Sequence, residues 1–504
     1  MSQPDFPHIN HVFVLMLENH SFDHLLGYSG ITGTDAETGD ATAVRGLAGN
    51  EFNLYDGVQY PVGNPAGFSM PVDPAHEFAD ALFQLSGDTA PYDPAAGYPA
   101  ITNSGFVSDY VNSQTPGEGH ATSNFGAVMK CFSPEQLPVL NALAREFAVC
   151  DNWFSSIPGP TWPNRFFVHA ASSGGLDHSP TTGEILVWQH IGGIAFEHGN
   201  LFDQLRIKFD DGYRLYRGQN FLSDVFPNVA ALKGITALDV HRMSDFEADV
   251  NSGNYPFPYT FIEPSYGDVL HNTYKGGTSQ HPLDDATGGE ALIKEVYEAI
   301  RKSPLWPKSL LLVLWDEHGG FYDHVAPPPA IAPGDATVHS SLNQYGFDFK
   351  QYGVRVPAVI VSPLIPRNTI DHRLYDHASV SATLHDLFDT ELMTGRDANA
   401  NSLLALLDTA NPPREDAPMT LPDPADSGLS FATATVYPRS SGAADVPADK
   451  GSLPGFLHAA LQTDLAISPA TDHPAIKTEF SAIGSQDDAA KYMGKVKEKM
   501  DGLA

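Results

Sequence analysis

Two seven-residue stretches constrain this chain more than anything else in it. HVFVLML at 11–17 and SLLLVLW at 309–315 are apolar throughout after their first residue. A strand with no polar alternation has no face to give to water. It must be covered on both sides, as strands inside a parallel α/β sheet are. VPAVIVS at 356–362 and EFAVCDNWF at 146–154 have the same character.

Helical patterns fall between these runs. SPEQLPVLNALAREF predicts a helix over 133–147, with Ser133 as N-cap, Pro134 in the first turn and Gln136 completing a capping box. Leu137, Leu140, Leu143 and Ala144 would form its buried face. GGEALIKEVYEAIRKSP predicts another over 288–304, with Leu292, Ile293, Val296 and Ile300 on one stripe and Pro304 as its stop. HASVSATLHDLF at 377–388 predicts a third. Strands interleaved with helices imply an α/β fold, with a largely parallel central sheet flanked by helices.

The chain has 504 residues, 42% of them hydrophobic, enough for one large core. A catalytic domain is expected over 1–404, with residues 30–130, rich in Gly, Pro and Asp, forming long loop insertions. Residues 405–450 are expected to form a Pro/Ala/Asp-rich linker. Residues 451–504 are expected to add helices near 454–466 and 474–501 that pack on the domain. Cys131 and Cys150 are expected to be reduced, partly buried thiols. No apolar run reaches the ~20 residues of a membrane span. The N-terminal residues lack a positive leader region, so a cytoplasmic location is expected, with export by a non-classical route left open. The sequence does not address oligomeric state.

The two apolar runs end alike, in Glu18-Asn19 and in Asp316-Glu317. Ligands of open parallel sheets bind beyond the carboxyl ends of the strands. Four oxygen-bearing side chains meeting there suit a hard divalent cation, Ca²⁺, Mg²⁺ or Mn²⁺. Gly319-Gly320 lets the chain turn sharply just after them. A second segment, SSIPGPTWPNRFFVHAASSGG at 155–175, sets Thr161 among Pro158, Pro160 and Pro163 before a helical face. A hydroxyl at a helix N-terminus sits where amides and the helix dipole hold phosphate. N-cap and nucleophile are compatible roles for it. The formal charge of −33 opposes a nucleic-acid partner and suits cationic ligands or metal ions.

ENHSFDHLLGY, DPAHEF, GPTWPNR, YTFIEPSY, QHPLDD and DEHGGFYDHV occur in this order. As a set they resemble the phosphoesterase family of bacterial and plant phosphatidylcholine-hydrolysing phospholipases C and related acid phosphatases, from about residue 8 to residue 390. The resemblance implies an alkaline-phosphatase-like fold and hydrolysis of a small-molecule or lipid phosphoester through a covalent phospho-enzyme. It implies metal ligands at Glu18, Asn19, Asp316 and Glu317, and a nucleophile at Thr161. His20 departs from the pattern, since many relatives carry Arg there. The long C-terminal β-rich extension of the haemolytic phospholipases has no counterpart in this sequence.

His76 and His281 lie in polar, Pro-rich family motifs and are candidates to stabilise the phosphoryl group or to protonate the leaving oxygen. His318, next to the ligand pair, is a further candidate. His324 and His377 read as structural. Trp162, Tyr266 and Tyr322 are candidate cation–π partners for a choline head group. The expected activity is therefore phospholipase C-type cleavage of phosphocholine-like diesters, with a broad acid phosphatase on the same site as the alternative.

Overall fold

A computed structural model of the chain describes residues 9–115, 119–188, 192–335, 340–431, 447–449 and 451–503. Residues 1–8, on which the leader reading rested, and most of the stretch 432–450 lie outside the described residues.

Twelve strands are described: β1 His11–Leu17, β2 Thr32–Asp35, β3 Ala41–Ala43, β4 Phe52–Tyr55, β5 Val58–Pro61, β6 Ala148–Cys150, β7 Tyr213–Arg217, β8 Val240–Arg242, β9 Tyr259–Ile262, β10 Ser309–Trp315, β11 Ala358–Val361 and β12 Thr369–Asp371. Ten of them form one sheet in the order β3-β2-β12-β6-β11-β10-β1-β9-β7-β8, and β4-β5 is a separate hairpin. The two apolar runs are central neighbours. They pair in parallel with Leu17 opposite Trp315, so Glu18 and Asp316 leave the sheet side by side. Every residue of β10 is buried, and so is all of β1 after His11.

Most strand pairs are parallel, but β11 runs antiparallel to both β10 and β6. Its apolar sequence requires cover on both faces and does not encode direction. The 30–130 region contributes more than loops. Its β2 and β3 extend one edge of the sheet, and its hairpin packs through buried Asn53 on the segment carrying Asn103 and Val107.

The helix expected from 133 starts later, at Pro138, and runs to Glu146. Pro138 disfavours helical geometry in the residue before it, and Leu137 sits at φ −122°, ψ 63°. Half of the expected capping box survives as a free-standing turn, in which the Ser133 amide donates to Gln136 Oε1 at 3.1 Å. The second helix spans Ala286–Lys302, capped by Asp285, and buries the four expected residues. The third spans Ala378–Phe388.

At the C-terminal side three helices stand where two segments were expected: Leu453–Ile467, His473–Ser481 and Gln486–Asp501. Ser485 splits the second segment by accepting the Asp488 amide as an N-cap. Residues 405–431 have little regular structure and lie along the Ala286–Lys302 helix, where Tyr297, Lys294 and Arg301 donate to their carbonyls. Cys131 and Cys150 are both free and buried. Among the described residues no helix is long and apolar enough to cross a membrane.

Candidate active site

The site forms where β1, β10 and the segment after β6 meet at the carboxyl edge. Asn19 takes a left-handed backbone, φ 59°, and its amide donates to Asp316 Oδ1 at 3.0 Å. Gly319 follows the second acidic pair at φ 60°, and a Cβ there would lie 2.1 Å from the Asn19 carbonyl oxygen. Only glycine allows the two acidic segments to close on each other.

Thr161 enters on the helix Thr161–Ala170. It does not cap that helix: Pro160 holds the N-cap position and makes no side-chain cap. The hydroxyl is thereby left for the site, and Thr161 Oγ1 lies 3.2 Å from the Asn19 amide oxygen. Asn164 stiffens the turn, donating to the Gly159 and Pro160 carbonyls at 3.0 Å each and accepting from the Ile157 amide.

Glu18, Asn19, Thr161, Asp316 and Glu317 are thus brought together, all buried. One arm of the Asn19 amide lies 2.9 Å from Glu317 Oε1, 3.3 Å from Asp316 Oδ1 and 3.2 Å from Thr161 Oγ1. With nitrogen in that arm, it donates to all three. With oxygen there, four oxygens face one point, which is the donor set of a hard cation. Glu18 Oε2 is buried with no hydrogen-bond partner. An orphaned anionic oxygen beside two more carboxylates is costly unless a cation joins them. These residues fit a divalent metal ion.

The electrostatics agree with this. Burial, then the Asp316 charge, pushes Glu18 up to about 8. Burial pushes Asp316 up to about 6 against the pull of Arg165. Burial would raise Glu317 as well, but His76, His318 and the Gly319 amide outweigh it and hold it below its ordinary value.

His76 Nε2 stands 3.9 Å from Glu317 Oε1, and its Nδ1 pairs with the Pro74 carbonyl at 2.9 Å. Burial alone would lower its pKa. Glu317, Asp73 and that carbonyl instead raise it to about 10. His281 is the opposite case: burial and the neighbouring His76 and His20 hold it well below its ordinary value. Its Nδ1 accepts the Leu283 amide, its Nε2 lies 3.6 Å from Asp73, and its ring stacks on Tyr274 at 3.6 Å. His318 lies beside Glu317, Nδ1 to Oε2 3.3 Å, but its Nε2 is engaged by Gln84 Oε1 at 2.6 Å. His377 Nε2 is bonded to the Asp316 carbonyl at 2.6 Å and supports the strand end from behind.

Asp23, Asp323 and His324 form a further compact group of metal-competent side chains. Arg355 already fills it, with Nη2 2.9 Å from Asp23 Oδ1 and Nε 2.9 Å from Asp323 Oδ1. The group ties the chain after Asn19 to the chain after Gly320.

The three aromatic candidates are placed differently from expectation, and none presents an open ring face. Trp162 is buried under the Leu453–Ile467 helix, against Gly455 and Phe456. Tyr266 is buried with Arg165 over its ring at 5.3 Å, and its hydroxyl donates to Glu263 at 2.6 Å. Tyr322 packs edge-on against Phe106. Apolar neighbours distant in sequence cover all three.

Arg165 is the residue the sequence reading missed. It lies one helical turn after Thr161, so both project toward the same edge. Its Nε donates to Asp316 Oδ2 at 2.9 Å and its Nη2 to the Leu17 carbonyl at 3.0 Å. Its Nη1 is buried without a partner. The i, i+4 spacing in TWPNR was the available signal. His20 is similar: its Nδ1 meets His24 Nδ1 at 2.8 Å, and its Nε2 is buried and unpartnered.

A family model described as "Phosphoesterase family" matches residues 9–391. "Non-specific phospholipase C6" of Arabidopsis thaliana is 36% identical over 431 residues, 82% of this chain and 75% of that protein. "Phospholipase C B" of Mycobacterium tuberculosis is 26% identical over 442 residues, 81% of this chain and 80% of that protein. A solved protein in the alkaline phosphatase superfamily from Vibrio parahaemolyticus aligns at 14% identity and a TM-score of 0.32, over 56% of this chain and 65% of that one, a likeness too slight to build on.

Proposed function

The chain belongs to the phosphoesterase family and is a hydrolase, and from that premise we propose that it cleaves phosphocholine-like diesters in the manner of a phospholipase C, with Thr161 as nucleophile in a metal-dependent site. One observation carries this reading: the Thr161 hydroxyl caps nothing and is aimed into a buried group of carboxylates.

Glu18, Asn19, Asp316 and Glu317 would hold the metal, and Glu18 supplies the orphaned oxygen that calls for it. When bound, a divalent cation there supplies Lewis-acid stabilisation of phosphoryl charge and lowers the pKa of a nearby hydroxyl. As the Thr161 hydroxyl proton passes to solvent, Oγ attacks phosphorus and the bond to the alcohol oxygen breaks; that oxygen leaves with a proton from His76, which solvent then replaces. Water then breaks the phosphothreonine bond, releasing a phosphomonoester and restoring the hydroxyl. His76, held protonated by Glu317 and Asp73, is the proton donor. His281, held neutral with Nδ1 accepting from Leu283, offers its Nε2 hydrogen to the phosphoryl oxygens. Arg165 holds Asp316 in place and shares its charge.

The names of the relatives support the choice of a diester over a simple monoester. The test compares release of p-nitrophenol from p-nitrophenyl phosphorylcholine and from p-nitrophenyl phosphate, before and after chelation and re-addition of Ca²⁺, Mg²⁺ or Mn²⁺. Preference for the diester with activity lost on chelation is expected. Preference for the monoester would replace this reading with a broad acid phosphatase. Full activity in fully demetallated protein would remove the metal.

A further inference from the structure

Farther along the same sheet edge lies a group of charges that the proposed chemistry does not use. β7 and β8 pair in parallel with Arg217 opposite Arg242, so each strand delivers an arginine to the carboxyl edge. In strand order they stand two and three places from β1, roughly 10 and 15 Å away at ~4.8 Å per strand. Both line a pocket of 530 Å³, together with Lys497 and Asp501 of the last helix and the apolar Leu238 and Met500. That volume is in the range of small-molecule sites.

The charges in this pocket do not cancel. Lys497 Nζ is tied to Asp501 Oδ2 at 2.5 Å, which leaves the two arginines. Arg217 is 8% exposed, its Nη1 donates to the Gly218 carbonyl at 3.0 Å, and its Nε is buried without a partner. Burial and the Arg242 charge both depress its pKa, while Asp224 and Asp245 pull the other way. Asp224 is already occupied: it accepts the Asn220, Phe221 and Tyr266 amides and the Ser265 hydroxyl. A chain with 61 acidic and 28 basic residues thus sets two arginines side by side, the buried one short of acceptors.

Two adjacent guanidinium forks match a tetrahedral dianion better than a carboxylate, which one fork satisfies. The apolar wall gives room for an organic substituent. We propose that this pocket is a second, non-catalytic site that binds the phosphate dianion of a phosphomonoester. The same chemistry is offered by a small soluble phosphomonoester and by the exposed head group of phosphatidic acid.

The test is a calorimetric titration of the whole protein with inorganic phosphate, which is not consumed. Wild type should show two classes of site. Arg217→Gln and Arg242→Gln should each weaken one class at least tenfold and leave the other within twofold. Arg242 is exposed, so its variant keeps the fold even if the buried Arg217 variant does not, and thermal melts check this. A single class in wild type that Arg242→Gln leaves unchanged overturns the proposal, as do two classes that both survive it. Flotation with phosphatidylcholine vesicles, with and without phosphatidic acid, then names the source. Binding that needs both phosphatidic acid and Arg242 marks the lipid, and phosphate binding without flotation marks the soluble ester. Neither arm requires turnover, so the outcome is separate from that of the proposed hydrolysis.

Discussion

Thr161→Ala should separate stability from catalysis by a wide margin. The hydroxyl makes one contact, 3.2 Å to the Asn19 amide, at the long end for a hydroxyl donor. A neutral bond of that kind is worth ~1 kcal/mol net. Because Pro160 is the N-cap, no capping energy is lost, whereas a true Thr cap would add ~1 kcal/mol. Removing the buried methyl costs about 1 kcal/mol more. The fold should therefore lose about 2 kcal/mol, measurable by urea denaturation. If the hydroxyl is the nucleophile, kcat should fall at least ~1,000-fold, about 4 kcal/mol of barrier. Thr161→Ser keeps the oxygen and should stay within about tenfold of wild type. The assay is kcat on p-nitrophenyl phosphorylcholine, with acid-quenched mass spectrometry to find phosphate on the Thr161 peptide. An Ala variant that keeps more than about a tenth of kcat, or Ser and Ala variants that fall equally, would refute the reasoning.

Three further outcomes follow from the site. Glu18 is raised from an ordinary value near 4.5 to about 8 and His76 from 6.5 to about 10, so between pH 6.5 and 8 the folded, metal-free protein binds more protons than the unfolded chain and should lose stability as pH rises. Thermal melts should show Glu18→Gln flattening that slope and saturating Mg²⁺ or Mn²⁺ reducing it; equal slopes in all three would show that Glu18 is not held protonated. Arg165→Met should cost about 3–5 kcal/mol in urea unfolding, because it strands the buried Asp316 carboxylate, and Arg165→Met combined with Asp316→Asn should recover part of that loss. Gly455→Ala would place a Cβ 1.9 Å from the Trp162 ring, so it should destabilise by about 1–3 kcal/mol and lower kcat through the neighbouring Thr161, whereas a neutral result would mean that the Leu453–Ile467 helix does not bear on the site.

The parts of this protein that could be read from sequence are those whose physics is local. β1 and β10 announce themselves because a strand covered on both faces needs an unbroken apolar run, and their ends are marked by the first residues that water or a cation must hold. Gly319 and Gly320 were legible for the same reason: both have positive φ, and the chain folds back within three residues of Asp316. Direction in the sheet is not local. β11 has the composition of its parallel neighbours, and it is reversed because of how the chain returns from the long segment after Gly320. The late start of the Pro138 helix was hidden by two signals in competition. Ser133 and Gln136 do form a turn, but Pro138 forbids continuing it as helix, and the restriction that proline places on Leu137 outweighs the cap.

Side-chain roles divide along the same line. Thr161 could be proposed from its prolines, yet what frees its hydroxyl is that Pro160 occupies the cap, a matter of backbone register one residue wide. Arg165 shares a helical face with Thr161, and its partner Asp316 is 151 residues away. Its importance appears only once β10 delivers that carboxylate. Trp162 shows the opposite error. From sequence, an indole beside a candidate nucleophile reads as a platform for a cationic substrate. In the fold it is the surface on which Gly455 and Phe456 seat the C-terminal helix, so the same ring couples that helix to the turn holding Thr161. The Leu453–Ile467 helix therefore reaches the turn that holds Thr161 by packing on Trp162, and a glycine at 455 is the condition for that contact.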